Sequence, residues 1–275
     1  MVDAVTPTVD IGRYEDGTRI ALPLPGWGGA HWLLGGSSGS GKTMTIRQLL
    51  AEMLWTHRAM PIAVAMADPH GVDYAAWEPL LATAAVGVAA SGQLLAMAQA
   101  EVRRRLCVMR SMRVREWSAE HAERIGPYLV VVIDELSAVT MLAKGATTQL
   151  VVLAQEMRKT GAGLVLATQS PKAKVIEAIV REQCPIRLCL RTRSPEQTEA
   201  VLEGRQWPAH QPEDLGGFPL WMRGGVYVDD GRTVRRGRLR GITEDAERHV
   251  VERRGSAPVV GGWPRLIDQH AHQEA

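Results

Sequence analysis

The sequence predicts an α/β fold with a mainly parallel sheet, built around a phosphate-binding loop and carrying a small β-hairpin near each end. Three observations carry this. Gly36-Ser37-Ser38-Gly39-Ser40-Gly41-Lys42-Thr43 fits G-x-x-x-x-G-K-[ST] at every position, between an apolar run at 31–35 and a helix-like segment, Thr43–His57. From residue 30 onward, apolar runs without polar alternation are separated by helix-like segments, as in a parallel sheet covered on both faces. The hydrophobic fraction, 45% of 275 residues, is ordinary and suffices for one large α/β domain.

Taken in order, Thr8–Arg13 and Thr18–Leu24 alternate around Glu15-Asp16-Gly17, a hairpin with an Asp-Gly turn. Residues 1–25 thus read as a small β element, and Pro25-Gly-Trp-Gly-Gly29 as a linker into a domain spanning 26–252. Strands are expected at His31–Leu34, Ile62–Ala67, Leu129–Ile133, Leu164–Ala167 and Ile186–Leu190. Helices are expected at Thr43–His57, Leu94–Met112, Thr147–Lys159 and Val175–Glu182. A last hairpin, Gly225–Leu239, turns at Asp229-Asp-Gly231. Residues 253–275, rich in Gly, Pro and His, read as a loosely ordered tail.

Composition narrows the classes. A net charge of +2 neither marks nor excludes a nucleic-acid binder. Cys107, Cys184 and Cys189 are odd in number and form no C-x-x-C, so free thiols in a reducing compartment are expected. No leader is evident, and no run approaches the ~20 apolar residues of a membrane span. A cytoplasmic chain is expected, one that a membrane-anchored partner could recruit to the inner face of the membrane.

The loop's chemistry is local. Small residues from Gly36 to Gly41 let backbone N–H groups turn inward and cradle phosphate oxygens at a helix N-terminus. Lys42 would reach the β- and γ-phosphates, and the Thr43 hydroxyl would ligate Mg2+, so ATP and Mg2+ are the expected ligands. The run Leu129–Ile133 ends in Asp134-Glu135. Asp134 would hold the metal shell and Glu135 would take the proton of the attacking water. The same two carboxylates could instead cap a following helix. Thr168 and Gln169 close the next strand and are candidates to touch the γ-phosphate or the water, at the carboxyl edge where open α/β sheets bind ligands.

Further segments are more specific. Ala65-Met-Ala-Asp68-Pro69, the helix bearing Glu101, Arg103, Arg104 and Met109, Arg158-Lys-Thr-Gly161 through Ala167-Thr-Gln-Ser-Pro171, Pro185-Ile-Arg187, and Arg238–Glu247 follow in order. Together with the loop, they resemble the FtsK/SpoIIIE DNA translocases over roughly residues 8–252. The resemblance implies a RecA-like P-loop NTPase core that assembles as a ring, usually of six subunits, around double-stranded DNA. It also implies that Arg187 is an arginine finger reaching a neighbour's ATP, with Arg191 and Arg193 as alternatives. The chain shows neither the membrane helices nor the winged-helix domain of many members. Its compactness is similar to that of transfer proteins of actinobacterial conjugative elements. DNA contacts are expected from Lys172 and Lys174, or from Arg110, Arg113 and Arg115, or from Arg232, Arg235, Arg236, Arg238 and Arg240. Two other functions stay open: a related ATPase that pumps protein or single-stranded DNA in a secretion or coupling complex, and an ATP-binding regulatory module with negligible turnover.

Overall fold

Unbroken apolar runs become the inner strands of one sheet. In the computed structural model, which describes residues 6–56, 60–142, 145–169, 178–204, 224–254, 260, 263 and 266–267, β3 (Trp32–Gly35), β4 (Ile62–Asp68), β6 (Tyr128–Ile133), β7 (Ala162–Thr168) and β8 (Ile186–Leu190) are buried along their whole length. Around them lie β1 (Thr8–Tyr14), β2 (Arg19–Pro23), β5 (Thr83–Val86), β9 (Gly225–Asp229), β10 (Val234–Leu239) and β11 (Leu266–Ile267). The order across the sheet is β11-β5-β4-β6-β7-β3-β8-β9-β10-β1-β2. Pairing is parallel from β11 to β8 and antiparallel from β8 to β2. The two hairpins therefore join one another and extend the same sheet, with Gly12 of β1 opposite Leu239 of β10.

The helices are α1 (Lys42–Ala51), α2 (Val88–Met112), α3 (Ala122–Ile125), α4 (Leu136–Leu142), α5 (Ala146–Met157), α6 (Ala178–Glu182), α7 (Pro195–Leu202) and α8 (Glu244–Arg254). Strand parity sorts them. Trp32 and Leu34 pack with Ile46 and Leu49 of α1 on one face. Leu33 and Val131 pack with Leu94 of α2 and Leu150 of α5 on the other. Compared with the sequence expectation, α2 starts six residues earlier than Leu94, at Val88. The helix opened by the phosphate loop leaves α geometry at Glu52, where a π turn runs to Thr56. Strand β5 and helices α4, α7 and α8 were not anticipated. Most of the tail lies outside the described residues, and among those described no helix is long and apolar enough to cross a membrane. Cys184 and Cys189 are buried, which pushes both thiols up to about 12 and leaves them protonated and inert.

Two buried polar groups fix the edge of the sheet remote from the phosphate loop. Arg105 of α2, fully buried, donates to Glu101 Oε1 at 2.8 Å and to the carbonyls of Thr160 (3.0 Å), Gly161 (3.0 Å) and Pro127 (2.7 Å). His31, also fully buried, bonds the Ala154 carbonyl through Nε2 at 2.8 Å, while Nδ1 accepts the Leu164 N–H at 3.2 Å. That pair of partners requires a neutral ring with its proton on Nε2. Burial lowers the His31 pKa from 6.5 to about 4, only partly opposed by the Ala154 bond. A base whose folded pKa lies below its unfolded one contributes stability that is intact above the unfolded value and lost as pH falls toward the folded one. Stability should therefore drop between about pH 6.5 and 4 by on the order of 3 kcal/mol. Urea midpoints measured across that window, for wild type and His31→Gln, check this; an equally steep loss in the variant would assign the pH dependence elsewhere.

Candidate nucleotide site

The phosphate loop links the end of β3 to α1, and its glycines are there for space and backbone angle. A Cβ on Gly35 would lie 2.2 Å from Val201 Cγ2, and one on Gly36 would lie 2.7 Å from Ser40 Oγ and 2.9 Å from Leu190 Cβ. Gly39 and Gly41 take φ of +70° and +106°, the left-handed region that glycine enters without strain. Neighbouring strands hold the loop. Ser37 donates its N–H and its hydroxyl to the Arg191 carbonyl at 2.8 and 3.0 Å, and Gly36 N–H meets the Thr168 carbonyl at 3.3 Å. No side chain caps α1, so its first N–H groups stay available to an anion. Ser40 Oγ is buried and has no hydrogen-bond partner, as a group meant for a phosphate oxygen would be. Lys42 is 5% exposed and donates to the Gly36 carbonyl at 2.7 Å. Burial pushes its pKa down, and Asp134 and Glu135 pull it back up.

The carboxylates arrive from β6. Asp134 accepts from the Glu135 N–H through Oδ1 at 3.0 Å and from the Tyr74 hydroxyl through Oδ2 at 2.9 Å. Burial raises its pKa, with Asp68 adding to the rise and Tyr74 and Lys42 opposing it. Glu135 has φ of +55°, an uncommon backbone state for a residue with a Cβ and one that clusters at functional sites. Its carboxylate accepts from the Ser137 hydroxyl, the Thr168 hydroxyl (3.3 Å) and the Gln169 N–H (3.1 Å). Strand order explains the meeting, since β7 lies between β6 and β3 and sets Thr168 opposite Gly35.

A cavity of about 640 Å³ opens beside the loop, lined among others by Gly41, Thr43, Met44, Gln169, Arg238 and Arg240. Its size suits a nucleotide. The structure thus brings Gly36–Thr43, Asp134, Glu135, Thr168 and Gln169 to one edge of the sheet. Gln169 contributes its backbone N–H to Glu135 and is among the residues lining the cavity. Tyr74, Arg238 and Arg240 are additions that sequence reasoning did not place here. Tyr74 sits in a loop without a motif, and the two arginines were grouped with a basic hairpin.

Arg187 needs correction. The resemblance implies a side chain reaching a neighbour, but here it is 7% exposed and held inside the subunit. It donates to the carbonyls of Cys184 (3.1 Å), Val201 (3.2 Å) and Arg181 (3.2 Å) and to Glu203 Oε2 (2.8 Å). It is a clamp of α6 and α7 onto β8. Arg191 instead stands over the loop, with Nη2 3.4 Å from the Ser38 carbonyl. Several hairpin arginines are also engaged: Arg235 covers the Tyr14 ring at 3.5 Å, Arg236 faces Glu15 at 3.2 Å, and Arg240 meets Glu52 at 2.9 Å. Lys172 and Lys174 lie outside the described residues.

Residues 6–125 match the model of the FtsK/SpoIIIE family. This stretch is similar to FtsK/SpoIIIE sequence. The FtsK/SpoIIIE-like chain is 27% identical over 238 residues to DNA translocase FtsK 2 of Ralstonia nicotianae, covering 73% of this chain and 30% of that protein. It is 28% identical over 208 residues to DNA translocase SftA of Bacillus subtilis, covering 71% of this chain and 22% of that protein. It therefore spans less than a third of the length of these relatives. Among solved structures, the cytoplasmic domain of the type VII secretion ATPase EccC from Thermomonospora curvata superposes with a TM-score of 0.77 at 20% identity, over 95% of this chain and 32% of that one. The pCW3 conjugation coupling protein TcpA, in a monomer form with ATPgS, gives 0.70 at 22% identity, over 91% and 71% of the two chains. These neighbours are P-loop ATPases in fold, and the expected RecA-like core with a mainly parallel sheet is the fold found.

Proposed function

We propose that this chain is an ATP-hydrolysing motor that translocates double-stranded DNA as a ring of identical subunits. The observation that carries the ATPase half is the meeting of Lys42, Thr43, Asp134 and Glu135 at one sheet edge beside a nucleotide-sized cavity. The DNA half is supported by the FtsK/SpoIIIE match and by relatives named DNA translocases. The finer reading is a six-membered ring of cytoplasmic subunits, recruited by a membrane-anchored partner and serving conjugative transfer or chromosome segregation.

In this reading, N–H groups of the loop after Ser37 bind the phosphates, and Lys42 turns from the Gly36 carbonyl to the β- and γ-phosphate oxygens. Thr43 and Asp134 are the residues that would hold Mg2+, whose charge, when bound, offsets that of the phosphates. Glu135 takes the proton of the attacking water, oriented for it by the Thr168 hydroxyl and the Gln169 N–H. Gln169, which lines the cavity, is the candidate to touch the γ-phosphate or the water. Arg191 and Arg193, which follow β8 at the same edge, are the arginines best placed to stabilise transferred charge. Lys172 and Lys174 remain candidates for DNA phosphate.

The test is steady-state ATP hydrolysis by wild type and Lys42→Ala, with and without linear double-stranded DNA, across a salt series. Stimulation by DNA that disappears in the variant and weakens with salt is expected of a motor gripping phosphates. Hydrolysis indifferent to DNA in a folded protein would overturn the DNA half, and stimulation by a cargo peptide alone would reassign the motor to protein.

A further inference from the structure

The Tyr74 hydroxyl lies between the two residues that the proposed reading gives to the metal. It donates to Asp134 Oδ2 at 2.9 Å and lies beside the Thr43 side chain. Asp134 Oδ1 is occupied by the Glu135 N–H at 3.0 Å, so both carboxylate oxygens are held while each keeps a free lone pair. The tyrosine is 2% exposed, and its loop is tied down. Arg47 of α1 donates through Nε and Nη2 to the Asp73 carbonyl at 3.0 and 2.6 Å, and the same guanidinium meets Glu247 of α8 at 3.5 Å.

We propose that Tyr74 is a positioning residue for the metal-binding pair: its hydroxyl fixes the Asp134 carboxylate beside Thr43 and so sets how much Mg2+ adds to nucleotide affinity. This rests on the ATP-site reading above. Tyr74 acts through Asp134, and its own chemistry is not consumed. Carboxylates that bind metals are themselves hydrogen-bonded, and losing such a partner typically costs 10–100-fold in metal affinity. A phenol also suits the task because its one hydroxyl, carried on a rigid buried ring, donates to the carboxylate from a fixed direction. A merely space-filling ring would behave differently, since removing its hydroxyl would leave the metal dependence alone.

The experiment titrates a fluorescent ADP into wild type and Tyr74→Phe, once with MgCl2 and once with EDTA. Phenylalanine keeps the buried ring, and the EDTA titration reports an intact phosphate loop independently of turnover. The expected result is unchanged affinity in EDTA and a loss of about tenfold in the affinity gained from Mg2+. Asp134→Asn should lose that gain more completely. A wild-type gain in Tyr74→Phe overturns the proposal, and so does an equal loss in both solutions, which would make the hydroxyl purely structural. A wild type whose affinity does not respond to Mg2+ overturns the metal-site reading itself, and the role of Tyr74 with it.

Discussion

Glu135→Gln is expected to lower the rate of ATP hydrolysis by about 10²–10⁴-fold, the usual worth of a positioned general base, while ATP still binds. The carboxamide has nearly the shape of the carboxylate but cannot accept the proton of the attacking water. The neighbouring contacts limit collateral damage. Thr168 and Ser137 can still donate to the amide oxygen, and only the Gln169 N–H at 3.1 Å risks facing an NH2 group. Single-turnover hydrolysis, read beside binding of a fluorescent ATP analogue, separates chemistry from affinity. Turnover equal to wild type would remove Glu135 from the reaction and favour a nucleotide-binding regulatory module. Loss of binding together with turnover would mean that the strained backbone at residue 135, not proton transfer, had been disturbed.

The largest stability effect is expected at Arg105. Arg105→Met removes the partner of Glu101, which is 5% exposed, and leaves the carbonyls of Pro127, Thr160 and Gly161 without their donor. Arg104 still pairs with Glu101, at 2.7 Å, so the carboxylate is not wholly stranded. Breaking a buried pair from one side typically costs about 3–5 kcal/mol, and unmet buried carbonyls act in the same direction. A urea denaturation series should show a loss of that order. Arg105→Lys should recover little of it, because one ammonium cannot reproduce a planar fork that serves four acceptors. A loss under about 1 kcal/mol in Arg105→Met would show that the site relaxes around a neutral side chain and that the clamp is dispensable.

Legibility in the sequence followed burial and chemistry. β4, β6 and β7 could be read because strands covered on both faces leave unbroken apolar runs. The phosphate loop could be read because backbone cradling of phosphate tolerates so few residue types. The four-residue β5 sits within an alanine-rich stretch that suits helix and strand alike. α8 buries only Glu247 and Val250, too few positions to mark a period. α4 follows directly on Glu135, whose left-handed φ sets the turn into it and carries no mark in the residue type. Tyr74, Arg238 and Arg240 reach the nucleotide cavity or its metal ligands only through tertiary approach. Arg187 matched a motif whose role depends on where the side chain points, and Glu203, sixteen positions later, turns it inward.

The pairing of the two terminal hairpins has a consequence for synthesis. β1 leaves the ribosome well before β10, since its partner Leu239 lies 227 positions after Gly12. Until β9 and β10 have emerged, β1 has a neighbour only in β2 and β8 only in β3, so the nascent molecule carries two open strand edges. Such edges are templates for pairing with other chains. The nucleotide cavity also lacks its Arg238 and Arg240 wall over the same interval. Closure of the sheet and completion of the cavity thus fall to one late event, and chains cut short before Gly225 should be found with aggregates or chaperones and not among nucleotide-binding species.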